Sequence, residues 1–139
     1  MKLTKNFDLS EFIYSDFYSP SQQKKVLKSF DEDDSIFFNI QKLANNLQVL
    51  RDHIGKPISI NISYRPLWWE LKQGRSGNSQ HVLAKAADIV VKGMSTKEVR
   101  DTIEMLIKRG DMLQGGLGLY NSFVHYDIRK TRARWDYSK

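Results

Sequence analysis

The fold of this chain is constrained most by two short segments, residues 79–89 and 123–129, in which polar side chains adjoin apolar runs. In the first segment, Asp88 follows His81 by seven positions and is followed at once by an apolar run, residues 89–91. Such a run is typical of a buried strand. The pattern therefore predicts a loop or short turn at His81 and the start of a buried strand at Asp88.

The second segment has the alternation of a strand, in which successive side chains point to opposite faces. The residues of one face would be Phe123, His125, Asp127 and Arg129. A face that carries an imidazole, a carboxylate and a guanidinium is too polar for an ordinary core strand. We therefore interpret it as the floor of a site.

Together the two segments supply a possible ligand set for one zinc ion. Two imidazole nitrogens and one carboxylate oxygen, with the fourth position left for water, are typical of catalytic zinc sites. The sequence offers such a set in His81, Asp88 and His125. The chain has no cysteine, which excludes a Cys-rich structural zinc site.

The remaining patterns indicate the scaffold. Apolar residues at helical spacing between Ile40 and Ile54 predict one helix, and the capping-box sequence at Ser95 predicts a second over residues 95–109. Strands are predicted from the alternation of residues 57–63 and from the segments already described. The acidic run at residues 31–34 predicts a solvated loop. We expect an α+β fold in which a small antiparallel sheet is flanked by the two helices.

Length and composition limit the class of protein. At 139 residues and 40% hydrophobic, the chain suits a single domain over residues 1–139. It has no apolar run long enough for a membrane span, and no apolar stretch follows its basic start, so we expect neither membrane insertion nor a secretory signal. Residues 56–139 hold fifteen Lys or Arg against eight Asp or Glu. This basic part could meet nucleic acid or an anionic bacterial wall.

The order of short motifs resembles the zinc D-Ala-D-Ala carboxypeptidase family, peptidase family M15, which includes phage endolysins. The motifs are Tyr-Arg at 64–65, Ser-x-His-x6-Asp at 79–88, Gly-Gly-x-Gly-x-Tyr at 115–120 and Phe-Val-His-x-Asp-x-Arg at 123–129. The chain looks most like the short, phage-encoded branch of this family, and the resemblance runs from about Asn6 to Trp135.

The resemblance implies a hedgehog/D-Ala-D-Ala-peptidase-like fold and roles for individual residues. His81, Asp88 and His125 match the family's zinc ligands. Arg65 matches an arginine that helps to hold the substrate's carboxylate, a task that suits the planar guanidinium, and we place Ser79 with it in substrate binding.

Peptide hydrolysis also needs a general base near the metal. We name Asp127 as the candidate catalytic residue because it shares a strand face with His125. The alternative is that Asp127 orients a ligand histidine. Many family members have an acidic base where this chain has Ser122, others have a histidine at Phe123, and Ala84 replaces the usual glycine. A base elsewhere, such as Glu70 beside Trp68 and Trp69, is a further alternative.

The resemblance implies a zinc metallopeptidase that cuts peptidoglycan stem peptides. It would act either as a D-Ala-D-Ala carboxypeptidase or as an endopeptidase of the L-alanyl–D-glutamate type. The short form without a signal favours a phage-encoded endolysin, held in the host cytoplasm before lysis and acting on the cell wall. We expect a monomer whose partners are peptidoglycan peptides, with no nucleic acid.

Two other classes compete with this interpretation. A non-haem iron oxygenase also uses two histidines and a carboxylate, but its usual order needs a histidine after His-x-Asp, and none follows Asp127. A non-catalytic wall-binding or nucleic-acid-binding module would fit the basic part. Its basic residues are scattered, however, and match no nucleic-acid motif, and the retained metal set argues against a degenerate site.

Overall fold

The computed structural model describes residues 1–139, and its centre is a five-stranded sheet. The strands are β1 (Ile58–Ile62), β2 (Ala86–Val91), β3 (Gly116–Leu119), β4 (Val124–Asp127) and β5 (Ala133–Asp136). Their order across the sheet is β1-β2-β4-β3-β5. The pairs β1–β2, β2–β4 and β4–β3 are antiparallel, as predicted, whereas β5 pairs with β3 in parallel. The sheet is therefore mixed, and its one parallel pair comes from β5, a strand that the sequence patterns did not predict.

Five helices accompany the sheet, which confirms the predicted α+β class. They are α1 (Ser10–Ile13), α2 (Pro20–Glu32), α3 (Asp34–Ile54), α4 (Leu67–Lys72) and α5 (Thr96–Lys108). The capping box of Ser95 and Glu98 begins α5 as predicted, and α3 ends at Gly55, whose φ is +64°. None of these helices has both the length and the apolarity that a membrane span requires.

The segment before α3 is more ordered than its polar composition indicated. Ser19 caps α2 through the backbone N–H of Gln22, and Pro20 occupies the first turn, where its missing N–H costs nothing. The acidic run at residues 31–34 is exposed as predicted, but it is not a loop. Only Asp33 lies between the two helices, and its side chain accepts a hydrogen bond from the N–H of Ser35 to cap α3.

The two faces of the sheet have different tasks. On one face, alternate residues of the strands pack with α3 and α5 in one core cluster; these residues include Ala87, Ile89, Leu117, Leu119, Val124 and Tyr126. On the other face lie the intervening residues, Asp88 from β2 and His125 from β4. The period of two that buries the apolar residues therefore places the polar ones together on the opposite side.

The turn before β2 contains a residue in an unfavourable backbone conformation. Ala84 is fully buried and has a φ of +59°, in the left-handed region that side chains other than glycine seldom adopt. Backbone hydrogen bonds from Ala84 N to His81 O and from Lys85 N to Gln80 O close the turn. The left-handed conformation of Ala84 costs about 1–2 kcal/mol. This strained residue is part of the turn that positions His81.

We expect Ala84→Gly to change the free energy of unfolding by less than about 1 kcal/mol. Relief of the left-handed strain offsets the loss of a buried methyl, worth about 0.8 kcal/mol, and the added freedom of the unfolded chain. Ala87→Gly is the matched control, because Ala87 is equally buried but lies in a strand. It should cost about 1.3–1.8 kcal/mol. Urea denaturation measures the free energy of unfolding of both variants. An equal loss of stability in the two would contradict backbone strain at Ala84.

Candidate metal centre

Three side chains from separate parts of the chain meet on the polar face of the sheet. His81, Asp88 and His125 each offer one ligand atom, and these atoms lie within 4.8 Å of one another. The Oδ1 of Asp88 is 3.3 Å from Nε2 of His81 and 3.1 Å from Nδ1 of His125. All three residues are buried. The structure thus brings together the donor set that the sequence predicts.

Sheet register and a turn account for this meeting. Asp88 and His125 are direct partners across β2 and β4, so their side chains leave the same face as neighbours. His81 lies in the predicted turn before β2, and its ring nitrogen Nδ1 is 2.8 Å from the carbonyl oxygen of Ser63. The backbone N–H of Arg65 donates to the carbonyl of His81 at 3.0 Å, which fixes the turn against the segment after β1.

The hydrogen bonds of the two histidines suit them for metal binding. A carbonyl oxygen only accepts, so Nδ1 of His81 must carry the proton, and its Nε2 offers a lone pair. In the same way, Nε2 of His125 is 2.7 Å from Oδ2 of Asp127, so Nδ1 is the nitrogen of this ring that faces Asp88. Metal-binding histidines usually donate their second N–H to a carbonyl or carboxylate in this way. The residues present therefore fit a divalent cation.

The charges of the site point to the same conclusion. Burial raises the pKa of the Asp88 carboxyl, but the hydrogen bonds from His125 and His81 outweigh it and hold that pKa well below its usual range. Burial lowers the pKa of His125, but the Asp127 and Asp88 carboxylates outweigh it, and the pKa lies above its ordinary value. Both shifts favour positive charge next to the Asp88 carboxylate.

Asp127 lies beneath His125 and is fully buried. Its Oδ2 accepts from Nε2 of His125 and from Nη2 of Arg129, both at 2.7 Å. Its Oδ1 accepts from Nε of Arg129 at 2.9 Å, from the N–H of Arg129 at 3.1 Å and from the N–H of Gly116 at 2.8 Å. Both carboxylate oxygens are thus engaged, which favours the orienting role among the two that the sequence left open.

The glycines of β3 make room for this arrangement. A Cβ on Gly116 would meet the carboxylate of Asp127, and a Cβ on Gly118 would meet the indole of Trp135. Gly118 is the direct partner of His125 across β3 and β4. Because this face of β3 carries no side chains, groups from β4 and β5 can lie across it beside the metal set.

A cavity of about 320 Å³ opens onto the three donors. Arg65 and Ser79, the residues expected to bind substrate, line it together, with Nη2 of Arg65 3.3 Å from the hydroxyl of Ser79. Tyr120 and Trp135 line it as well. The sequence analysis did not place Tyr120 in the site, although its position two residues after Gly118 puts it on the face of His125.

A second cavity of about 280 Å³ adjoins the first, and Arg65, Asp88 and Phe123 line both. Trp69 and Arg75 form part of its wall. Trp68 and Trp69 are both half-buried. Trp69 contacts Tyr18 edge to face, with a ring-centroid distance of 4.9 Å, because the short helix α4 turns it inward.

Glu70 lies behind this wall and is fully buried. Its Oε2 is 2.7 Å from Nη1 of Arg75, and its Oε1 is 3.6 Å from Nη2 of Arg65. It lines neither cavity. The geometry thus favours a role in holding the two guanidiniums over the role of a base.

The family described as Peptidase M15 matches residues 10–127, a span that includes all three donors, Arg65 and Asp127. No curated protein matches the chain.

Proposed function

The chain belongs to the peptidase M15 family, and from this premise we propose that it is a zinc-dependent peptidase that hydrolyses an amide bond in the stem peptides of peptidoglycan. The observation that carries the proposal is the convergence of His81, Asp88 and His125. In each histidine, the ring nitrogen that does not face Asp88 is already hydrogen-bonded, Nδ1 in His81 and Nε2 in His125. This arrangement has the ligand types and the open fourth position of a catalytic zinc site.

We assign the zinc to Nε2 of His81, the carboxylate of Asp88 and Nδ1 of His125. Bound there, the ion would polarise the substrate carbonyl and lower the pKa of a water molecule towards neutrality. The protein's task is to keep the two rings fixed. The Ser63 carbonyl does this for His81, and Asp127 does it for His125.

Arg65 and Ser79 are the proposed substrate-binding residues. The Arg65 side chain is largely buried, yet it lines both cavities beside Asp88. A guanidinium pairs with a carboxylate through two parallel hydrogen bonds. Glu70 contacts the same guanidinium from behind and limits its orientations. A substrate carboxylate bound by Arg65 would place the adjoining peptide bond near the three donors.

For Asp127, we propose that it orients His125 and is not the general base. A base needs a lone pair within reach of the water that it deprotonates, whereas all five hydrogen bonds of Asp127 come from the protein. Its side chain does not line the cavity that contains the donors. Arg129 neutralises its charge through a side-on pair with both oxygens.

The family and the site are compatible with either a D-Ala-D-Ala carboxypeptidase or an endopeptidase such as an L-alanyl–D-glutamate hydrolase. We propose a phage-type lytic enzyme that acts on the cell wall, because the order of its motifs looks most like that branch. The bond that is cut identifies the activity, since each alternative releases a different fragment from a defined muropeptide.

The purified protein should hold about one zinc per chain and should cleave purified muropeptides, with the products identified by mass spectrometry. His81→Ala and His125→Ala should lose both the zinc and the cleavage while the helices remain, because a two-ligand site binds weakly. The control is His53→Ala, on the last turn of α3, which should keep both. Full zinc in the first two variants, or wild-type protein that binds zinc but cleaves no muropeptide, would contradict the proposal.

The substitution Asp127→Asn separates the two roles of that residue. If Asp127 orients His125, the affinity for zinc should fall about 10- to 100-fold, and added zinc should restore most of the turnover. If it is the general base, zinc should stay bound and turnover should fall about 10²- to 10⁴-fold at any zinc concentration. We expect the first result, measured by zinc titration and turnover on one preparation.

A further inference from the structure

Tyr120, the last residue of the Gly-Gly-x-Gly-x-Tyr motif, lines the cavity of the metal set but is not one of its donors. It directly follows β3, and its N–H donates to the carbonyl of Phe123 at 3.1 Å to close the turn between β3 and β4. Gly118, two residues earlier, is the partner of His125. The Tyr120 side chain accordingly lines the same cavity as His81, Asp88 and His125.

The Tyr120 ring is fixed by stacking. It stacks on Phe123 with a centroid distance of 4.3 Å and an interplanar angle of 16°, whereas the exposed ring of Tyr137 lies 5.6 Å away at a tilt. Stacked aromatic pairs of this kind are stabilised beyond the burial of their area. Because the ring is fixed in this way, the position of the hydroxyl oxygen is fixed as well.

The hydrogen bond of the hydroxyl has a defined direction. Nε1 of Trp135 is 2.9 Å from the Tyr120 oxygen. An indole N–H can only donate, so the hydroxyl accepts here, and its own proton is left for another partner. No protein group accepts that proton. Trp135 is itself fixed against His125, with ring centroids 5.0 Å apart, and over the bare backbone of Gly118.

We propose that Tyr120 is a catalytic residue whose hydroxyl donates a hydrogen bond to the carbonyl oxygen of the scissile amide as negative charge develops there, and that Trp135 positions it. The inference rests on the proposed peptidase function. A donor that accepts one hydrogen bond while it donates another is polarised and becomes a stronger donor. A fixed donor at such an oxygen typically accelerates the reaction about 10²- to 10³-fold.

Tyr120→Phe tests this inference because it removes only the hydroxyl and keeps the stacked ring. We expect kcat on a muropeptide to fall about 100-fold while KM changes less than about 3-fold and the zinc content stays the same, since the bond forms mainly in the transition state. Affinity for a phosphinate peptide, whose tetrahedral group resembles that state, should fall by a comparable factor. Tyr137→Phe is the matched control, and it should change neither kcat nor the affinity for the phosphinate peptide more than about 2-fold.

Trp135→Phe tests the positioning residue, because it keeps an aromatic ring and removes the indole N–H. It should lower kcat about 10-fold, and Tyr120→Phe/Trp135→Phe should be no slower than Tyr120→Phe alone, because the indole acts through the hydroxyl. If the kcat losses of the two single variants multiply in the double variant, the positioning role of Trp135 is overturned.

The catalytic role of Tyr120 would be overturned by any of three results. These are a Tyr120→Phe turnover above half of the wild-type value, an equal loss of turnover in Tyr137→Phe, or a loss of zinc in Tyr120→Phe. Wild-type protein that cleaves no muropeptide would instead overturn the peptidase function, and this inference with it.

Discussion

The cross-strand pair of Asp88 and His125 is the contact on which the site depends. Antiparallel pairing of β2 with β4 makes the two residues direct neighbours on the polar face. Both are buried, and an ionised carboxylate without a partner in such a place costs several kcal/mol. Opposite them, His81 brings a third donor from a strained turn. These residues are compatible with a stable core only if a cation or a shared proton lies between them.

The surroundings of this pair account for much of the remaining structure. Arg129 neutralises the buried Asp127, and Asp127 in turn fixes the ring of His125. The glycines of β3 leave space for the Asp127 carboxylate and for the indole of Trp135. Strand β5, although it is the edge of the sheet, therefore contributes to the site through Trp135. The apolar face carries the stability of the sheet, so the polar face is free to hold groups that would destabilise a core.

Much of this arrangement could be predicted from local patterns. The alternation of residues 123–129 places His125 and Asp127 on one face, and the apolar run after Asp88 indicates its strand. The role of Asp127 could not be derived in this way, because a spacing of two residues defines a face and not the direction of each carboxylate oxygen. The burial of Glu70 and the parallel pairing of β5 depend on contacts between distant segments. Tyr120 was within reach of the pattern, since it continues the series of Gly116 and Gly118.

The central claim is that His125 binds the metal through Nδ1 because Asp127 holds its Nε2. A crystal structure of the zinc-loaded protein, with the ion located by anomalous scattering at the zinc edge, tests this most directly. We expect a single ion bound by Nε2 of His81, the carboxylate of Asp88 and Nδ1 of His125, with the hydrogen bond from His125 Nε2 to Asp127 intact. Zinc bound to Nε2 of His125, ligated by Asp127, or located away from these residues would contradict it.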